Sequence, residues 1–179
     1  MAIPWYELAN DDRVQQGDCF PACPYVVSPT DVDLSTLDEN ESLSVEVRAV
    51  DAIVLSQSCD LEDRTIKNVL MAPYSPWSDY AVRIGRGREK SDWEAMRRGR
   101  FVGAHLLMKC DLVGFARDYV IVDFRETFAI TREQLESLGR KRRPRVRLAS
   151  PYREHLSQEF GRYVMRVGLP VGIPGFETR

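Results

Sequence analysis

Only two histidines, His105 and His155, occur among the 179 residues, so any imidazole chemistry rests on those two positions. No apolar run approaches eighteen residues, which excludes an ordinary transmembrane helix. The start, Met1-Ala2-Ile3-Pro4-Trp5-Tyr6, lacks both the basic end and the apolar core of a secretory signal. A soluble, cytoplasmic protein with no membrane partner is the expectation. Absent too are a Walker loop, a dinucleotide fingerprint, HExxH and EF-hand spacing, so nucleotide-fold, metalloprotease and calcium chemistry have no motif to rest on. The four cysteines (Cys19, Cys23, Cys59 and Cys110) could form two bridges. Without a secretion signal, and with enough core to do without them, reduced thiols are expected.

What the chain does have is apolar material for one core, 44% hydrophobic with 9% aromatic, at a length usual for one domain spanning 1–179. Its net charge of −2 hides an asymmetry. Residues 1–63 hold fourteen acids against Arg13 and Arg48, a net −12, which leaves +10 on the remainder. The basic residues concentrate at Arg83, Arg86, Arg88, Lys90, Arg97, Arg98 and Arg100, most of them in an insertion at 84–100. They concentrate again in Arg140-Lys141-Arg142-Arg143-Pro144-Arg145-Val146-Arg147. Such blocks suit phosphate contacts, each cation releasing a counterion. Nucleic acid is therefore one expected partner; internal pairing with the acidic first third is the competing use of the same charges.

Four consecutive apolar residues, Ala52-Ile53-Val54-Leu55, run directly into Ser56-Gln57-Ser58-Cys59-Asp60. A buried strand ending in compact polar groups delivers reactive side chains to the rim of a core. An ordinary polar turn is the plain alternative. Other strands are expected at Val14–Phe20, stopped by Pro21 and Pro24 and resumed at Tyr25, and at Leu43–Arg48, where apolar and polar residues alternate. Val69–Ala72 reads as a short strand closed by Pro73 and Pro76. Residues 29–41 read as an exposed acidic loop. Leu112–Phe115 and Tyr119–Phe124 read as a hairpin, whereas Phe101–Met108 fits either strand or buried helix.

Three helices are expected. Ser91 and Glu94 resemble a capping box for one through Trp93 and Met96. Thr131 and Gln134 form another, with Ile130 and Leu135 as a hydrophobic staple and Gly139 as its stop. The last, within 150–168, is capped by Ser150 and carries a stripe of Tyr152, Leu156, Phe160, Tyr163, Val164 and Val167. The fold class is α+β: a small SH3-like β-barrel or curved antiparallel sheet with an inserted segment and C-terminal helices.

Gln16-Gly17-Asp18 near the start, followed by the strand ending Ile53-Val54-Leu55-Ser56, resembles the MazF/PemK-type toxins. These are small SH3-like barrels of toxin–antitoxin type that cleave RNA. The resemblance covers roughly the first 75 residues, with an echo at Tyr119–Leu138. It implies an endoribonuclease, or a catalytically altered RNA-binding relative, with Ser56, Gln57, Cys59, Asp60 and Arg48 as site residues. The family places an Arg-Pro pair about six residues before the strand-ending serine. Here Val50 occupies that place, Arg48 lies two residues further upstream and Ala49 replaces the proline. The cation must then come from Arg48, Arg64 or Arg125. On this reading Arg86, Arg88, Arg97, Arg98, Arg140, Lys141, Arg142, Arg143 and Arg145 hold the nucleic acid.

Two other chemistries stand beside it. Cys59 could serve as the nucleophile of a cysteine-dependent hydrolase, with His105 as base and Asp51, Asp60 or Asp123 as orienter. Cys19 and Cys23 have the spacing of half a zinc site, to be completed by Cys59 with Cys110 or His105. The second half is no compact pair, and Phe20-Pro21-Ala22 is a stiff spacer, so no metal or cofactor is expected. A non-catalytic protein-interaction module, with a protein partner or a second copy as a homodimer, is the remaining alternative.

Overall fold

The computed structural model describes residues 3–33, 38, 42–85, 90–112 and 117–165, and the apolar run ending at Leu55 lies near their centre. That run belongs to β3 (Glu46–Val54), which pairs antiparallel with β2 (Asp18–Val27) on one side and β4 (Asn68–Pro76) on the other. Both of its faces are covered. Ala52 and Val54 enter one apolar cluster with Phe20, Met71 and Leu135, while Ile53 and Leu55 enter another with Tyr74, Leu148 and Leu156. Burial on two faces is why the sequence here runs continuously apolar instead of alternating.

Around this pair the sheet extends to β1 (Tyr6–Ala9) and β8 (Arg145–Leu148) beyond β2. On the other side come β6 (Val120–Asp123) and the edge strand β5 (Ala104–Leu107). The order is β1-β8-β2-β3-β4-β6-β5, with β7 (Phe128–Thr131) paired to β4. Every pairing is antiparallel, and the sheet is curved but unclosed, its two outer strands being β1 and β5. Of the two expected forms, the open curved sheet is the one adopted.

Pro76 ends β4 as expected, but Pro21, Pro24 and Pro73, also read as strand stops, lie inside strands. β2 begins at Asp18, leaving Val14 in a preceding loop; it passes Pro21 by a register shift between Phe20 and Cys23, while Pro24 lies beyond the shift, opposite Ala49, on a stretch of β2 that pairs with β3 alone among the described residues. A bulge accommodates residues that cannot continue the ladder. It also changes parity: Cys19 packs in the cluster with Tyr74 and Cys23 in the cluster with Phe20. The half zinc site is thereby split between opposite faces. Pro73 likewise lies inside β4, in the stretch between its pairings with β7 and β6. Beyond the bulge, β2 and β3 pair only with each other among the described residues, so Val47 stays 60% exposed despite the alternating pattern, as does Val45, just before β3, at 47%.

Helix α4 (Arg132–Lys141) is capped as the sequence implies, Thr131 Oγ1 accepting from Gln134 N at 3.3 Å, with Ile130 and Leu135 buried together. Gly139 does not end it. A Cβ there would come within 3.0 Å of Val14 Cγ2, so the glycine permits close packing inside the helix. The helix α3 (Lys90–Arg97) exists, but Ser91 lies within it rather than at its cap. Two short helices were not apparent from the pattern: α1 (Ser58–Glu62), directly after β3, and α2 (Trp77–Arg83), directly after β4.

The last helix, α5 (Tyr152–Val164), is capped at Pro151 rather than Ser150. Leu156 is fully buried, with Tyr152, Phe160 and Tyr163 packed beside it, while Val164 is 57% exposed. Val167 lies outside the described residues, as do 34–37 and 39–41 of the acidic loop. The described part of that loop is mainly exposed. Within Phe101–Met108 the structure forms the strand β5, Ala104–Leu107, and it is this strand that pairs β6. Of the expected hairpin partner, 113–116 lie outside the described residues.

Candidate functional site

The segment Ser56 to Asp60 is occupied with holding the fold. Ser56 Oγ accepts from Leu70 N at 2.9 Å, tying the end of β3 to β4. Ser58 Oγ accepts from Gln16 N at 3.2 Å, and Gln16 Nε2 donates to Leu55 O at 2.7 Å, tying it to the Gln16-Gly17-Asp18 turn. Gln57 donates to Ser157 on α5 at 3.1 Å. The Cys59 side chain is exposed, and among the described residues no hydrogen bond joins it to a histidine or carboxylate. The other three thiols are buried, and burial pushes Cys23 up to about 11 and raises Cys19 further above its ordinary range.

Arg48 does not join this segment. It sits on the outer part of β3, roughly 20 Å from Val54 at strand rise, and pairs with Glu46 at 2.7 Å. Arg125 pairs with Asp123 at 2.8 Å. Arg64 follows α1 with φ +54°, a left-handed conformation costing a non-glycine residue about 1 kcal/mol or more.

Much of the second basic block turns inward. Asp18 is fully buried and accepts from Arg147 and, at 3.2 Å, from Arg145; these two arginines also donate to Arg13 O, each at 2.9 Å. Arg145 therefore offers nothing to a surface polyanion, contrary to its expected place in the phosphate-binding set. Arg142 donates to the carbonyls of Pro21 and Ala22, and Arg143 pairs with Asp12. Arg140 and Lys141 remain exposed. In the first block, Arg86 and Arg88 lie outside the described residues.

The two histidines, fifty positions apart, meet. His105 on β5 and His155 on α5 lie edge to face with ring centroids 5.0 Å apart, in a cavity of about 570 Å³ between α3, β5 and α5. His155 Nε2 is 3.5 Å from Glu159, which also pairs with Arg162. Trp5, Trp93 and Tyr119 form aromatic walls. Trp5 stacks on Tyr152 at 3.9 Å, and Trp93 meets Tyr119 edge-on at 4.9 Å. Arg97, Arg98 and Arg162 stand on the rim, 54%, 55% and 73% exposed. Thus the basic insertion contributes Arg97 and Arg98 to a concave site, although both also pair with Glu94. Neither Ser56 nor Cys59 lines it.

His105 is a buried polar group of this cavity, and its Nε2 has no hydrogen-bond partner among the described residues. Burial, with the neighbouring His155 second, pushes its pKa down to about 3, so the ring is neutral at ordinary pH. Unfolding exposes an imidazole of ordinary basicity, which binds a proton more readily than the folded one. Stability is accordingly expected to fall as pH drops from about 6.5 towards 3, with His105 contributing at most about 1.4 kcal/mol per pH unit. Denaturant midpoints measured across that range should flatten in His105→Leu; an unchanged slope would show that His105 is not the group responsible.

Nothing local in the sequence marks this constellation, because Trp5, Trp93, His105, Tyr119 and His155 come from five separate segments. The signals available were the Arg-rich insertion around Trp93 and the scarcity of histidine. No protein-family model, curated protein or solved structure matches the chain.

Proposed function

We propose that this protein binds single-stranded RNA in the cavity between α3, β5 and α5. The observation that carries the reading is the convergence of three aromatic rings, three arginines and both histidines around one space of about 570 Å³. Aromatic faces stack on bases of any sequence, rim arginines meet phosphates, and a cavity of this size lies within the range that takes small organic groups. The neutral His105 has its Nε2 buried in this wall without a partner among the described residues, so it reaches a base edge or a ribose hydroxyl only by turning into the cavity.

Binding is favoured over strand cleavage by the same histidine. A general base works best with a pKa near the operating pH, and a ring held down to about 3 is a weak proton acceptor. On this reading the chain binds RNA away from the Gln16-Gly17-Asp18 and Ser56 segments that carry the MazF/PemK resemblance.

Fluorescence anisotropy with a short labelled single-stranded RNA tests it. Affinity is expected to fall with salt, and Arg97→Ala with Arg98→Ala together should reduce the slope of log K against log salt by about 1.4, two single-strand phosphate contacts. Trp93→Ala should weaken binding by about 1–3 kcal/mol, roughly 5- to 150-fold. No binding at low salt, or a slope indifferent to both arginines, would sink the proposal. Shortened products from RNA but not from its 2′-deoxy counterpart would restore the nuclease reading.

A further inference from the structure

We infer that the cleft between α1 and α4 is a second ligand site, one that takes a phosphate monoester. It is a separate cavity of about 320 Å³, bordered by α1, by α4 and by residues 12–15. Its apolar part is made by Val14, Leu61, Val69 and Leu135, all buried members of the cluster beneath α4. A carbon skeleton has a surface to lie on there, and the volume exceeds what a bare phosphate needs.

The charges in its wall are unequally used. Glu62 is paired with Arg13, Glu136 with Arg132 at 3.1 Å, and Asp12 with Arg143, so each of the three wall carboxylates already holds a guanidinium. Arg64 and Arg140, also in the wall, have no carboxylate within ion-pair distance among the described residues. Arg132 adds a third donor. Glu133 and Glu136 hold its two terminal nitrogens, which fixes the fork, while its Nε is buried without a partner among the described residues. Unpaired guanidiniums beside a fixed one form a site for a compact dianion, since planar forks match phosphate oxygens in direction as well as charge.

The backbone gives an independent reason to look here. Arg64 occupies φ +54° directly after the Asp63 cap of α1, a place where glycine is the unstrained residue. Strain of this kind persists where the side chain is needed. The hydroxyl of Ser58, whose oxygen already accepts from Gln16 N, lies in the same wall with its proton available to a phosphate oxygen. This inference is independent of the RNA cavity, to which none of these residues contributes.

Isothermal titration of the full chain with inorganic phosphate, ribose 5-phosphate, a 5′-nucleoside monophosphate and unphosphorylated ribose tests it. The two esters are expected to bind at least tenfold more tightly than inorganic phosphate, and ribose not at all. Arg64→Gly relieves the backbone strain, so it should raise Tm while weakening ester binding at least tenfold. Arg64→Lys should retain part of the affinity, and Arg140→Ala should weaken it comparably.

Failure of every probe to bind, or equal ester affinity in the wild type and in Arg64→Gly with Arg140→Ala, overturns the inference. Inorganic phosphate binding as tightly as the esters overturns the monoester assignment. Arg97→Ala with Arg98→Ala should leave ester binding unchanged; loss there and not in Arg64→Gly would place the ligand in the RNA cavity instead.

Discussion

Asp18→Ala is expected to cost about 3–5 kcal/mol of stability, because it leaves two buried guanidiniums without their central carboxylate. Arg145 and Arg147 side chains are only 1% and 5% exposed, and Asp18 lies between them at 0%. Asp11, the next nearest acid, is 47% exposed and stands 3.5 Å from Arg147 and 3.7 Å from Arg145. It can compensate only in part, since an exposed carboxylate is screened by water. The midpoint of urea unfolding measures the loss.

The cost arises from the unpaired charges rather than from the bond itself, so changing Asp18, Arg145 and Arg147 together to apolar residues of similar size should recover most of it. A loss under about 1 kcal/mol for Asp18→Ala alone would show that the network does not hold the fold. The outcome bears on function as well. Gln16-Gly17-Asp18 carried the resemblance to RNA-cleaving barrels, and here its aspartate is a structural counter-ion for strand β8. Gly17 in the same turn has φ +83°, and a Cβ on it would lie 3.1 Å from Leu148 Cβ, so this glycine too serves the packing of β8.

Leu156→Ala should cost about 2–5 kcal/mol, the range for truncating a fully buried leucine. Its side chain, 0% exposed, is the main anchor of α5 against the sheet. The effect should reach the proposed RNA cavity, because His155, Glu159 and Arg162 all stand on this helix. Amide hydrogen exchange in α5 should accelerate and RNA affinity should fall with it. Val164→Ala on the same helix, exposed at 57%, should change stability by no more than about 0.5 kcal/mol. If Leu156→Ala leaves both exchange and RNA binding unaltered, α5 is not the wall that shapes the site.

Local signals were legible where a single short segment contains its own explanation. The Thr131–Gln134 cap, the amphipathic stripe around Leu156 and the doubly buried Ala52–Leu55 run are all readable from neighbouring residues, and all three are found in the structure. Pro21, Pro24 and Pro73 misled because proline forbids a hydrogen bond, not a strand: a bulge at Pro21, a single neighbouring strand at Pro24 and a change of partner at Pro73 remove the need for that bond. Gly139 misled for the opposite reason. Its lack of a side chain answers to Val14, across the core, and not to the end of its own helix.

The candidate site followed the same division. Ser56, Gln57 and Ser58 were correctly seen at the end of a buried strand, yet their hydroxyl and amide groups are engaged by Leu70, Gln16 and Ser157. Arg97 and Arg98 were legible as part of a basic insertion, but their opening onto Trp93 and the two histidines was not.

By itself the sequence determined the α+β class, the central buried strand and the excess of cations in its later part, because composition and short-range periodicity suffice for those. Only the tertiary structure decided which cations face solvent. Asp18 and the arginines it holds are 127 and 129 positions apart, and His105 and His155 come together from an edge strand and the last helix. A buried charge takes its partner from whatever the fold brings within reach, and separation along the chain carries no record of that distance.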